Sequence, residues 1–189
     1  LGRINSEVDY GVRWAEVSAA PFHLFKSTTA EGGISVPAIV KMPKAMARQG
    51  RLSEVARVDD LLPTFLAVAG LPLPAADADK HAITGKSILA MLSGKQEQAQ
   101  QPVLAGELFG NAYYREGNMK LLGMRPRAGF GDAPQPPKWT LYDLSKDRGE
   151  TNDLAAAQPE QVKRMQQAWG AYTKQVGVVF PPAAQAKAD

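Results

Sequence analysis

The sequence contains no cysteine, which excludes disulfides, thiolate metal sites and a cysteine nucleophile within this chain. Its only histidines are His23 and His81, too few for a three-histidine zinc site, and no HExxH pair occurs. No G-x-S-x-G pattern is present, although counting alone leaves a Ser-His-Asp triad open. No apolar run is long enough to span a bilayer. These absences remove several enzyme classes and direct attention to lysines, glycines and carboxylates.

The net charge is low, and charges of both signs are mixed along the chain. Twenty-two basic and 19 acidic residues are interspersed, giving a net charge of +3 without the basic block that tracks a phosphate backbone. We therefore expect no nucleic-acid partner. The 189 residues suffice for one domain with a core, or for a domain with a small appendage. Because the first residue is Leu1 and not Met, we expect a piece of a longer protein.

The stretch 21–43 combines a cation, a glycine turn and an apolar run. Lys26 precedes Glu31, Gly32 and Gly33, and residues 34–42 are short, apolar and rich in β-branched side chains. That run predicts a buried strand of the main sheet, and the glycines allow a tight turn or a close approach to a ligand. Lys26 is therefore a candidate anion contact, with a solvated lysine on a loop as the alternative.

The clearest helix of the first half follows Asp59 and Asp60. This acidic pair favours capping of a helix start, and metal binding is the weaker interpretation. Residues at helical spacing predict one apolar face, and Gly70 predicts its end. The face consists of Val58, Leu62, Phe65 and Ala69.

Two other segments of the first half are less distinctive. Gly85-Lys86-Ser87 is not a P-loop, because Lys80 stands where the motif needs a glycine, so a short helix is predicted there. Before residue 21 we expect a short helix or irregular coil docking through Trp14.

The last third of the chain predicts a small antiparallel sheet and one helix. A strand over 102–109, a hairpin turning at 116–118 and a strand over 139–144 precede a helix that starts near Pro159. Residues 147–153 predict a solvated charged turn that lacks the calcium-loop pattern. The helix repeats apolar residues at helical spacing, with Trp169 and Tyr172 as its expected anchors.

The fold class is therefore α/β with two parts. We assign residues 1–94 to the C-terminal end of an α/β sheet domain, 95–101 to a linker, 102–180 to a small α+β subdomain and 181–189 to a tail.

Several of these segments, in this order, resemble the C-terminal part of sulfatases. The sequence of residues 2–15 is most similar to that of bacterial arylsulfatases. The matching segments are 26–37, 58–70, 85–89, 115–121 and 141–144. The resemblance covers nearly the whole chain. It implies the C-terminal part of an alkaline-phosphatase-like sheet domain, followed by the small subdomain.

The resemblance also implies a chemistry. Sulfatases hydrolyse sulfate esters with a formylglycine made from Cys or Ser in a C/S-x-P-x-R motif, together with a calcium ion held by acidic and Asn side chains. The nucleophile motif is absent from this sequence, so we expect the chain alone to be inactive and the calcium ligands to lie upstream. Of the family's site residues, only Lys26 falls here, as the catalytic and substrate-binding lysine that contacts the sulfate group.

Two alternatives remain open. The first is a phosphonate or phosphate-ester hydrolase of the same superfamily, and the second is a non-catalytic binding module with a solvent-exposed Lys26. We expect a soluble protein, and the sequence leaves its compartment open between the bacterial cytoplasm and the periplasm. We also expect that the apolar run 34–42 seeks a partner, through self-association or pairing with the missing N-terminal part.

Overall fold

The computed structural model describes residues 11–43, 46, 50–75, 82–95, 103–126 and 136–179. His81, most of the predicted linker, the tail 181–189 and residues 2–10 of the family resemblance lie outside these ranges. The described residues divide into two compact units, one built from residues up to 37 together with those from 103 onward, the other from residues 38–102. Within the described residues, no helix combines the length and apolar character needed to cross a membrane.

The first unit is organised around a four-stranded antiparallel sheet in the order β1-β2-β3-β4. The strands are β1 Leu104–Leu108, β2 Asn111–Glu116, β3 Met119–Met124 and β4 Lys138–Asp143. Gly117 opens the β2–β3 turn with φ 61°, a backbone region that favours glycine at the first central position of a tight hairpin. The predicted antiparallel sheet and its hairpin are therefore confirmed.

One face of this sheet packs against the C-terminal helix, Pro159–Val176. The core between them contains Tyr114, Leu121, Leu141 and the fully buried Met165. Trp169 lies edge-on to Trp139 with ring centroids 5.3 Å apart, which confirms Trp169 as an anchor. Pro at the first turn and Gly177 in the left-handed region mark the two helix ends.

The opposite face of the sheet is covered by residues 22–34 and not by a long helix. Ala30 joins Leu122, Tyr142 and Leu144 in a second core cluster, against which Leu24 packs. Residues 11–34 contain two helices, α1 Gly11–Ala19 and α2 Glu31–Ile34. The sheet therefore separates the C-terminal helix, α5, from the segment that contains Lys26.

The predicted strand over residues 34–42 is wrong for this chain. Glu31–Ile34 forms the short helix α2, and residues 35–43 after it have no regular structure. Val36 and Ile39 are 82% and 99% exposed. A strand exists only as part of a hydrogen-bonded ladder, and no described segment of this chain pairs with these residues.

The prediction that α1 docks through Trp14 is also wrong here. The helix forms, but Trp14 is 65% exposed and α1 buries none of its residues. The ion pair between Arg13 and Glu16, with Nη1 and Oε2 3.8 Å apart, links successive turns of its surface.

The second unit contains α3 Leu61–Val68 and α4 Leu89–Leu92. The predicted helix after Asp60 and its stop at Gly70 are confirmed, with Gly70 at φ 69° and the Leu71 amide donating to the Leu66 carbonyl. The predicted apolar face of α3 is not buried, because Val58 and Phe65 are 84% and 64% exposed, so this prediction is wrong. Pro63 and Thr64 are the buried residues of α3.

Asp60 joins α3 to the segment that precedes α4. Its Oδ2 accepts from the Arg57 amide and its Oδ1 from the Lys86 amide, both at 2.8 Å. The Thr64 hydroxyl donates to the Asp60 carbonyl and accepts from the Ile88 amide at 3.0 Å. Asp60 therefore holds backbone segments of the unit together. It closes the turn Val58–Asp60 by accepting from the Arg57 amide, but no side-chain hydrogen bond caps α3, so the predicted cap of that helix is wrong.

Asp60→Ala is expected to destabilise this unit. The change leaves two amides without their acceptor, at a cost of about 1–3 kcal/mol for each buried group. The midpoint of urea unfolding should fall, whereas Asp59→Ala, which removes a half-buried side chain paired with Arg57 and Thr84, should change it less. Equal effects of the two variants would contradict the assigned role.

Candidate functional site

Lys26 lies in a shaped loop, which we call the Lys26 loop and define as residues 22–30. The lysine is exposed, and none of the described residues pairs with its ammonium group. Leu24 and Ser27, on either side of it, have φ of 58° and 71°. The Thr28 hydroxyl closes the turn by donating to the Phe25 carbonyl at 2.8 Å. Non-glycine residues at positive φ cost energy and persist only where the surroundings hold them.

The Lys26 loop packs so closely against α2 that positions 32 and 33 require glycine. A Cβ on Gly32 would collide with the carbonyl oxygens of His23 and Leu24, and one on Gly33 would collide with Thr28. The Gly32 amide donates to the His23 carbonyl at 2.9 Å. The glycines therefore allow a close approach, as the sequence predicted, but in this chain they approach the backbone of the Lys26 loop.

The end of the loop is fixed to the sheet. The buried Thr29 donates its hydroxyl to the Ala112 carbonyl of β2 at 3.2 Å. Ala30, fully buried, lies in the core cluster beneath the loop. Lys26 and Ser27 at the tip, and His23 near the start of the loop, remain exposed to solvent.

Next to Ala30 lies a buried ionic cluster, which we call the buried triad and define as Glu31, Lys120 and Glu150. Lys120 belongs to β3 and has no exposed surface, and its Nζ lies 2.8 Å from a carboxylate oxygen of each glutamate. It also lies 5.7 Å from the centroid of the Tyr113 ring, within cation–π distance. Two carboxylates and one ammonium leave this buried cluster with a formal charge of −1.

Residues 147–150 hold the Lys26 loop from a second side. The Glu31 amide donates to Glu150 Oε2 at 2.8 Å, and the Arg148 guanidinium lies 4.9 Å from the centroid of the Phe22 ring. Glu150 adopts φ 54°. The predicted turn is present, but Glu150 is 4% exposed, so the interpretation of the whole segment as solvated is wrong at this residue.

Asp147 stabilises that turn. Its carboxylate accepts from the Thr151 and Asn152 amides at 2.8 Å each. Burial raises the pKa of Asp147, but these amide bonds outweigh it, so that the pKa lies below its ordinary value. The carboxylate therefore acts within the turn that positions Glu150.

The chemistry offered by this arrangement is that of a solvent-facing lysine on a loop whose backbone is fixed, with the exposed guanidinium of Arg148 against the Phe22 ring of the same loop. His23 is exposed on the same loop, while the nearby carboxylates of Glu31 and Glu150 are occupied by Lys120. No group of three or more His, Asp or Glu that could hold a metal occurs among the described residues. The arrangement suits contact with an anion held in place by other groups.

Sequence reasoning found Lys26 and the glycines but missed the triad. Charged residues are almost never fully buried unless they are paired, so a lysine within a predicted strand gives no reason to expect burial. One signal was available, because Lys120 immediately precedes Leu121 and Leu122 in a strand whose next residues are all apolar. The spacing of Glu31 and Glu150 in the sequence contains no comparable signal.

The chain is similar to sulfatases over most of its length. It is 33% identical over 191 aligned residues to an uncharacterized sulfatase of Schizosaccharomyces pombe, covering 96% of this chain and 32% of the relative. It is 32% identical over 160 residues to human arylsulfatase A, covering 75% of this chain and 31% of that protein. The chain therefore spans about a third of the length of these curated relatives. No family model matches it.

Solved structures show the same fold. Ps i-CgsB superposes with a TM-score of 0.61 at 22% identity, covering 82% of this chain and 32% of that one. Its complex with k-i-k-neocarrahexaose gives the same TM-score at 24% identity. The mixed α/β architecture, with its antiparallel sheet and C-terminal helix, is thus shared with these proteins.

Proposed function

This chain belongs to the sulfatase family, and on that premise we propose that it is the C-terminal part of an arylsulfatase in which Lys26 contacts the sulfate group of the substrate. The observation that carries the proposal is the loop geometry. An exposed lysine stands between two residues at positive φ, on a loop fixed to the sheet by Thr29 and Ala30. Such strain clusters at functional sites.

The proposed role of Lys26 follows from the charge of the reaction. Cleavage of a sulfate ester develops negative charge on the sulfate and leaving-group oxygens, and a cation fixed beforehand stabilises that charge without reorganising. A lysine on a loose loop would lose part of this advantage, because it would have to be ordered during the reaction. Close packing of Gly32 and Gly33 against the loop supports a preorganised ammonium group.

The remaining parts of the site are proposed for the whole protein. A formylglycine would supply the nucleophile and calcium would supply further charge neutralisation, with both held outside this chain. No C/S-x-P-x-R motif occurs in the sequence, so we propose that the chain alone is inactive. Hydrolysis of an aryl sulfate by the pure 189-residue chain would contradict this.

We further propose that the apolar surface of this chain is covered in the whole protein, or by self-association in its absence. Exposed large apolar side chains such as Val36, Ile39 and Phe65 form an unusual amount of apolar surface for a monomer. Size-exclusion chromatography of the chain should show association, and a monodisperse monomer would contradict the proposal.

Lys26→Ala in the full-length enzyme tests the proposed function. Loss of one preorganised charge contact should lower kcat/KM for an aryl sulfate by about 10²- to 10³-fold. Because Lys26 is exposed, its removal should leave the melting temperature unchanged. Lys163→Ala, which removes another exposed lysine on α5, serves as the matched control and should retain kcat/KM. An unchanged kcat/KM in Lys26→Ala would end the assignment.

A further inference from the structure

We propose that Lys120 is a positioning residue of the sulfate site, which holds the Lys26 loop in its working conformation through Glu31. The inference rests on the proposed function of Lys26. Lys120 touches no part of the proposed substrate site, since it lies beneath the loop with none of its surface exposed. Its effect on the reaction must therefore pass through the residues that it binds.

The first step concerns why a lysine lies at this position. Lys120 belongs to the sheet face that also contains Leu122, in the core cluster of Ala30 and Tyr142. An apolar side chain there would avoid the large cost of removing an ammonium group from water. Because buried ion pairs contribute little net stability over apolar residues of similar size, their retention is better explained by the geometry that they impose.

The second step is the connection from Lys120 to the loop. Lys120 Nζ donates to Glu31 Oε1 at 2.8 Å, and the amide of the same Glu31 donates to Glu150 Oε2 at 2.8 Å. Both the side chain and the backbone of Glu31 are therefore fixed. This residue follows the Lys26 loop directly and begins α2, so its position determines where Gly32 and Gly33 lie.

The third step is the contact of those glycines with the loop. The Gly32 amide donates to the His23 carbonyl, and neither glycine leaves room for a Cβ against the loop backbone. A displacement of Glu31 must therefore move residues 23–28. The positive φ values of Leu24 and Ser27 depend on such external support, so the loop is expected to relax when the support is removed.

The experiment uses the full-length enzyme and compares four variants with the parent protein. Lys120→Met removes the ammonium group, Lys26→Ala removes the proposed sulfate contact, and a double variant combines them. Leu121→Ala is the control, because Leu121 is the adjacent buried residue of β3 but packs on the opposite sheet face with Met165. Each is assayed with an aryl sulfate below its melting temperature, and exchange of the Gly32 amide with deuterium is followed.

The expected result is a loss confined to the loop and its lysine. Lys120→Met should lower kcat/KM by about ten- to a hundredfold, as small misplacements of a catalytic group do. It should also speed exchange at Gly32. Leu121→Ala should retain kcat/KM within about twofold, because its side chain does not contact the loop. The double variant should be no slower than Lys26→Ala, since both changes disable the same group.

Three results would overturn the inference. The first is that Lys120→Met and Leu121→Ala have equal kcat/KM values while Lys26→Ala is impaired. This result refutes the positioning of Lys26 by Lys120 but leaves the proposed function intact. The second is a double variant whose loss of kcat/KM equals the product of the losses in Lys120→Met and Lys26→Ala, as for two independent groups. The third is an unimpaired Lys26→Ala, which refutes the proposed function and the inference with it. If Lys120→Met does not fold, Glu31→Met, which removes the carboxylate that accepts from Lys120 Nζ and leaves Lys120 paired with Glu150, replaces it in every comparison with the same expected directions.

Discussion

Lys120→Met is expected to lower the free energy of unfolding more than any other single change considered for this chain. The substitution keeps the length of the side chain but leaves Glu31 and Glu150 facing each other without a cation, in a site with almost no exposure. Removal of one partner from a buried ion pair costs about 3–5 kcal/mol, because the remaining charge is uncompensated. The midpoint of urea unfolding of the protein measures the loss.

Glu150→Gln provides the contrast within the same cluster. The triad has one carboxylate in excess, so this change leaves a balanced pair of Lys120 and Glu31. The amide oxygen of glutamine can still accept from the Glu31 backbone amide, as Glu150 Oε2 does. Its NH2 group then takes the place of Oε1 and must move away from Lys120 Nζ. Because the charges still balance, we expect a smaller shift of the unfolding midpoint than for Lys120→Met. A loss as large as that of Lys120→Met would show that the excess charge is not the deciding factor.

Gly32→Ala is expected to have the second largest effect, on both stability and activity. Its new Cβ would meet the carbonyl oxygens of His23 and Leu24. These are backbone atoms and cannot rotate away. Insertion of a methyl group into a tightly packed site costs about 1–3 kcal/mol or more, and relief of the clash requires movement of the Lys26 loop. Both the melting temperature and kcat/KM of the full-length enzyme should fall.

Gly170→Ala is the matched control for that prediction. Gly170 lies within α5, where a Cβ would meet no atom within 4 Å. The same chemical change should therefore stabilise the protein, by about 0.5–1 kcal/mol, because alanine loses less conformational freedom than glycine in a helix. Opposite shifts of the melting temperature in the two variants are expected. Shifts of the same sign would contradict the assigned packing of Gly32.

The small sheet and the last helix were predictable because their signals are local. The β2–β3 turn is encoded by Gly117 and Asn118 between two alternating segments, and α5 is encoded by Pro159, Gly177 and an apolar repeat at helical spacing. In each case a residue and its neighbours within a few positions determine the backbone. The burial that these patterns predict is then supplied by the other element of the same unit.

Three of the failed predictions concern apolar residues that are not buried by any described part of the chain. Residues 34–42 have the composition of a buried strand, and Phe65 of α3 has the spacing of a buried helix face, yet both are exposed. Trp14 of α1 behaves in the same way. Composition and spacing indicate that a surface can be buried, but burial itself needs a second surface, which local sequence does not contain.

The sequence by itself determined the strands of the small antiparallel sheet, the C-terminal helix and the candidate lysine, through turn residues, periodicity and the family resemblance around Lys26. Only the tertiary structure decided what holds that lysine. Lys120 lies 89 positions from Glu31 along the chain, and Glu150 lies 119 positions from it. Coulomb attraction and hydrogen bonds depend on distance in space, so folding alone brings these three charges together beneath the Lys26 loop.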